Sequence, residues 1–101
     1  MDDVYIKHSG KGKNRVSSIH LTNECTIYNV EPVYKYLKGN INDLAVKNVI
    51  IENVTNIDLA GAQMLIALKK LLLNKNKDVY FQLNISDELK KIITNCGFNN
   101  I

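Results

Sequence analysis

A chain of 101 residues, 46% of them hydrophobic and 23% charged, builds one domain around one core and has no room for a second. Trp is absent and aromatics are sparse, which argues against a base-stacking platform; the formal charge of +3, drawn from Lys11, Lys13, Arg15 and scattered helix lysines, forms no stripe for nucleic acid. No segment reaches the roughly 18 apolar residues that span a bilayer, and Met1 is followed by Asp2-Asp3 rather than an apolar leader, so a cytoplasmic protein without membrane insertion is expected.

Val4-Tyr5-Ile6 and the segment Val16 to Leu21 predict strands, joined by the Gly/Lys-rich turn Ser9-Gly10-Lys11-Gly12-Lys13-Asn14. Thr22-Asn23-Glu24 predicts a second turn, leading into a short strand, Cys25-Thr26-Ile27-Tyr28. Asn29 then stands where a helix N-cap belongs, with Glu31 and Pro32 in the first turn, where a missing proline amide does no harm. Val30, Val33 and Leu37 share one face of that helix, and Gly39 is a natural stop.

The β-branched run Asn48-Val49-Ile50-Ile51-Glu52 reads as a buried strand. A polar loop, Thr55-Asn56-Ile57-Asp58, separates it from a long apolar helix over Ala60 to Leu73, rich in Ala, Leu, Ile and Met. Asn74-Lys75-Asn76-Lys77-Asp78 breaks that helix and returns the chain to a strand, Val79 to Leu83. Ser86 caps a last helix whose Leu89, Ile92, Ile93 and Cys96 form a core stripe, and Gly97-Phe98 predicts a Schellman ending. The expected fold is therefore α/β, a central mixed sheet with about three helices in β-α-β-α-β-α order after an N-terminal hairpin. No linker or repeat divides residues 1–101, and the role of the first 15 is the least defined. Cys25 and Cys96, far apart and each in an apolar pattern, are expected to be reduced, buried thiols.

Three segments carry a resemblance to a known family. They are Leu21 to Asn29, the run Ile57-Asp58-Leu59-Ala60-Gly61-Ala62-Gln63-Met64-Leu65, and Val79 to Leu83 with the Ser86 to Gly97 helix. Together they resemble the STAS domain of bacterial anti-sigma-factor antagonists, whose signature is an Asp, a Ser or Thr, a small residue and a Gly. The resemblance implies a protein-binding switch and not an enzyme, in which phosphorylation of the hydroxyl residue after the Asp releases a kinase-type anti-sigma factor. Leu59 occupies that acceptor position and has no hydroxyl. Thr55 is a weak substitute, better read as satisfying a loop amide. Chemotaxis-associated and lipid ABC-transporter-associated members share the Ala60-Gly61-x-Gln63-x-Leu65 arrangement, so a component of either system is an alternative partner.

On a helical wheel, Gly61, Met64, Leu65, Leu68, Leu71 and Leu72 fall on the core side, opposite Ala62, Gln63, Ile66, Ala67, Lys69, Lys70 and Leu73. The strip Ala62-Ile66-Leu73, rimmed by Gln63 and Lys70, is read as a partner surface together with Thr55, Asn56, Asp58 and Leu59. Its alternative is a strip covered by a neighbouring loop. Asp58 is read as a helix cap in preference to a catalytic or phosphoacceptor carboxylate, because no second acid is placed near it. His8 and His20 have no Cys or His at metal spacing, so no metal is expected, and the Gly10-Lys13 turn lacks the ending of a phosphate loop, so no cofactor is expected. No nucleophile and base can be paired from sequence. A small-ligand or nucleotide sensor, using the helix start beside Asn56, is the rival reading.

Overall fold

The computed structural model describes residues 3–12, 15–41, 45–75 and 79–98. Lys13 and Asn14 of the first expected turn, and Asn76, Lys77 and Asp78 of the break after the long helix, lie outside the described residues. Strands β1 (Val4–Ser9) and β2 (Val16–Cys25) form an antiparallel hairpin, with Val4 opposite Leu21 and Ser9 opposite Val16. There follow α1 (Val30–Asn40), β3 (Val46–Ile57), α2 (Leu59–Lys75), β4 (Tyr80–Asn84) and α3 (Asp87–Asn95). β3 pairs parallel to β2, and β4 parallel to β3, giving the sheet order β1-β2-β3-β4. This is the mixed sheet with three helices that the periodicity implies.

Alternation along the strands decides which face is covered. Val4, Ile19, Leu21, Val49, Ile51, Phe81 and Leu83 are buried and face the helices. Val33 and Leu37 of α1, Leu65, Leu68 and Leu72 of α2, and Ile93 of α3 close the core over them. The opposite face carries Tyr5, Lys7, Ser18, His20, Asn48, Glu52, Tyr80, Gln82 and Asn84. No helix among the described residues is long and apolar enough to cross a membrane.

Helix ends follow their local chemistry. Ser86 Oγ accepts from Leu89 N at 3.3 Å, with Asp87 and Glu88 at the positive end of α3. At the other end Gly97 takes φ +96, Gly97 N donates to Thr94 O and Phe98 N to Ile93 O, the two bonds of a Schellman motif. That turn drives Phe98 into the core, its ring edge-on to Phe81 at 5.2 Å. Asn29 takes the cap position of α1 but makes no cap bond: its Oδ1 accepts from Thr26 N, while Nδ2 donates to Glu24 O and Asp3 Oδ2.

Two expectations are corrected. Thr22-Asn23-Glu24 is not a turn; β2 runs through it to Cys25, with Asn23 at φ +70 absorbing a register shift as a bulge. Thr26, Ile27 and Tyr28 then form the turn, and not a strand. The second correction follows from the first. With β2 extended, β3 gains a parallel partner beyond Glu52: Asn23 pairs with Val54, and after a shift that skips Thr55, Glu24 pairs with Asn56 and Cys25 with Ile57. Thr55 and Asn56 therefore sit in a strand despite their weak strand preference, because pairing outweighs intrinsic propensity.

Candidate functional site

The end of the sheet where β2 and β3 stop is organised by Asp58. Its Oδ1 accepts from Gly61 N at 2.9 Å, which caps α2. Oδ2 accepts from Ile27 N at 2.9 Å, which ties the 26–28 turn to the start of the same helix. Asp58 N donates to Cys25 O at 3.2 Å, closing the knot from the backbone side. The Ile27 amide, with those of Gly61 and Ala60 adding against partial desolvation, holds this carboxyl below the usual aspartate range. The carboxylate is the form the fold binds, so its contribution to stability is present above the unfolded aspartate pKa and fades as pH falls through the lowered folded value. Asp58→Asn keeps one accepting oxygen for the cap but sets an amide nitrogen against the other N–H, so it is expected to flatten the acid limb of the stability curve and to lower stability by about 1 kcal/mol at neutral pH; denaturant titrations from neutral to acidic pH test both.

The knot leaves three large apolar side chains in water. Tyr28 is 86% exposed, Ile27 64% and Leu59 60%. Beside them an open groove of about 380 Å³ runs between α1 and α2, lined by Val30, Glu31, Tyr34, Ala60, Gln63, Met64 and Ala67. Glu31 on its wall is bridged to Lys35. Asp3, Glu24 and Asp58 cluster at this end of the sheet around the buried Cys25, and burial first, then those three carboxylates, push its thiol up to about 12. A thiol so shifted stays neutral and unreactive; both cysteines are free, Cys25 buried and Cys96 half-buried.

The residues expected at a partner surface separate into two groups. Leu59 and Gln63 are exposed beside or along the groove, and Asp58 anchors it. Thr55 and Asn56 are exposed at the end of β3, and Thr55 Oγ1 donates to Asn23 O at 3.3 Å, so its hydroxyl closes the bulge. Lys70 is exposed further along α2. Ala62, by contrast, is 0% exposed, and Ile66 is half-buried against the core. The apolar strip Ala62-Ile66-Leu73 is therefore not a surface; of the three, Leu73 alone is exposed. The reason is position: α2 packs against the sheet and also against α1 and α3, so its cover reaches beyond the sheet-facing side. Lys69 marks the α3 flank, its Nζ 4.9 Å from the Phe98 ring centroid.

Sequence reasoning missed the turn residues Ile27 and Tyr28 because their β-branched and aromatic character reads as strand. The available signal was Asn29 with Glu31-Pro32 directly after them, which starts a helix and leaves too few residues for a strand. It also missed a polar cluster on the uncovered sheet face. His20 Nδ1 meets Glu52 Oε1 at 2.9 Å, His20 Nε2 meets Ser18 Oγ at 3.1 Å, and the Tyr5 ring stacks on His20 with centroids 4.6 Å apart. Tyr5 Oη donates to the same Glu52 oxygen at 3.1 Å. These bonds, His20 first, hold the Glu52 carboxyl below its ordinary range. No group of three or more potential metal ligands occurs among the described residues.

Comparison with known proteins matches this geometry to one family. The family model for the STAS domain matches residues 10–101. The fold is similar to the anti-sigma factor antagonist SpoIIAA in its unphosphorylated form, with TM-score 0.64 and 19% identity over 92% of this chain and 81% of that one. It is likewise similar to the Bacillus cell fate determinant SpoIIAA in the phosphorylated form, with TM-score 0.60 and 19% identity over 92% of this chain and 84% of that one. No curated protein matches the sequence.

Proposed function

On the premise that this chain belongs to the STAS domain family, we propose that it is a cytosolic, non-enzymatic interaction module acting as an anti-sigma-factor antagonist. Its partner is a kinase-type anti-sigma factor. The observation that carries the reading is the exposed trio Ile27, Tyr28 and Leu59 beside the α1/α2 groove, held in one place by Asp58. Exposed large apolar side chains next to a concave surface are what a partner's desolvated anchors need.

Leu59 stands where the family carries its phosphoacceptor, so release by phosphate at this position is closed to the chain. Capture is then set by partner concentration and affinity alone. The rival reading, an anion or nucleotide held at the start of α2, is disfavoured by Asp58: its carboxylate occupies the Gly61 amide and puts negative charge where the anion would sit.

Shift mapping by NMR tests the proposal. Titration of the labelled domain with a kinase-type anti-sigma factor of the same organism is expected to move amide signals of Ile27, Tyr28, Leu59, Gln63 and Ala67. Shifts confined to Tyr5, Tyr80 and Gln82 would instead place the contact on the open sheet face. A partner from a chemotaxis or lipid-transport system giving the same map would keep the surface and change the pathway.

A further inference from the structure

The uncovered face of the sheet carries an arrangement that the docking surface does not use. Ser18 and His20 lie two residues apart on β2, so they share a face; Asn48 and Ile50 of β3 lie opposite them, with Glu52 two residues beyond Ile50 on that same face. Glu52 accepts from both His20 and Tyr5, so as a carboxylate it requires the hydrogen on His20 Nδ1. In the neutral imidazole Nε2 is then the acceptor, and the contact at 3.1 Å is one in which Ser18 Oγ donates. The Tyr5 ring, 6° from parallel with the imidazole, fixes its plane. The base is nearly buried, at 9% side-chain exposure, whereas Ser18 is only half-buried. Lys7, opposite Ser18 in the β1–β2 register, puts its Nζ 5.7 Å from the centroid of the Tyr5 ring, on the same face as the hydroxyl.

We propose that Ser18 is an activated nucleophile and a site of covalent acylation, with His20 as its base, Glu52 as the group that orients the base, and an activated ester or thioester as the acyl donor. A nucleophile within hydrogen-bond reach of a base, itself oriented by a third group, is the geometry that such chemistry needs. Ser18 Oγ bonds to the acyl carbon as its proton passes to His20 Nε2. The carbonyl oxygen becomes negative, then its electron pair reforms the carbonyl as the bond to the leaving group breaks and takes the electron pair with it. The leaving alkoxide or thiolate collects the proton from His20, and the acyl group stays on Ser18.

The chain holds its own controls. Ser9 and Ser86 are exposed without an imidazole partner among the described residues. Ser17 contacts His8 Nδ1 at 2.8 Å but is 2% exposed, and no carboxylate is bonded to His8 among the described residues.

The test is incubation of the folded chain with p-nitrophenyl acetate, followed by peptide mapping. Hydroxylamine separates serine esters, which it cleaves, from lysine amides, which it leaves. The expected result is a hydroxylamine-labile acetyl group on Ser18, formed faster than on Ser9, Ser17 or Ser86. His20→Gln should slow it about 100-fold, and Glu52→Gln should slow it as well. Acetylation of Ser18 no faster than of Ser9 within one wild-type sample overturns the proposal, and that comparison does not depend on a variant folding. An unchanged Ser18 rate in folded His20→Gln overturns it equally.

Discussion

Gly61→Ala is expected to lose about 3 kcal/mol of stability or more, a large part of the 5–15 kcal/mol that holds a domain of this size. A Cβ at position 61 would lie 1.7 Å from the Cys25 carbonyl oxygen and 2.5 Å from its carbon. Both atoms are backbone, at the end of a strand held there by β3, with Cys25 paired to Ile57. The same carbonyl accepts from Asp58 N, so it cannot swing away without opening the knot that joins β2 to α2. The alanine must therefore push the first turn of α2 off the sheet, and the Asp58 bonds to Gly61 and Ile27 go with it. Denaturant unfolding of Gly61→Ala beside wild type measures the loss. A double variant with Cys25→Ala should recover almost none of it, because truncating the thiol leaves the clashing carbonyl in place. Full rescue by the double variant would show that the side chain, and not the backbone, sets the approach.

How much of this was legible in the sequence varies with the physics involved. The long helix, its Asp58 cap, the Ser86 cap and the Gly97-Phe98 ending could all be read, since each rests on local chemistry within four or five residues. The sheet face was also legible, because Val49-Ile50-Ile51 and Val79 to Leu83 carry strong strand patterns. The stretch 53–57 was not. Asn53, Thr55 and Asn56 favour loops locally, and only the extension of β2 past the Asn23 bulge, which pairs Val54, Asn56 and Ile57, carries β3 through them. For the same kind of reason the outer strip of α2 was misread. A helical wheel assumes one covered side, yet the neighbouring helices bury Ala62 and half-cover Ile66. The Ser18-His20-Glu52 set depends on strand register, which no local pattern encodes.

Leu59→Glu is expected to weaken partner capture at least about 30-fold, the effect of losing a contact worth about 2 kcal/mol at the centre of an interface. The substitution separates binding from folding. Leu59 is 60% exposed and opens α2, where a carboxylate is favourable to the positive helix end and no core contact is lost. Stability should therefore stay within about 0.5 kcal/mol of wild type, while the partner meets a charge where it expects an apolar anchor. Leu59→Ser completes the argument. It supplies a hydroxyl directly after Asp58, and on the proposed reading a kinase-type anti-sigma factor with ATP should phosphorylate it and then let it go, whereas wild type stays bound under the same conditions. Titration calorimetry on the three proteins, with and without ATP, gives the answer. Equal affinity of Leu59→Glu and wild type would remove Leu59 from the interface. Retention of Leu59→Ser after phosphorylation would mean that this surface binds without the electrostatic release the family position implies.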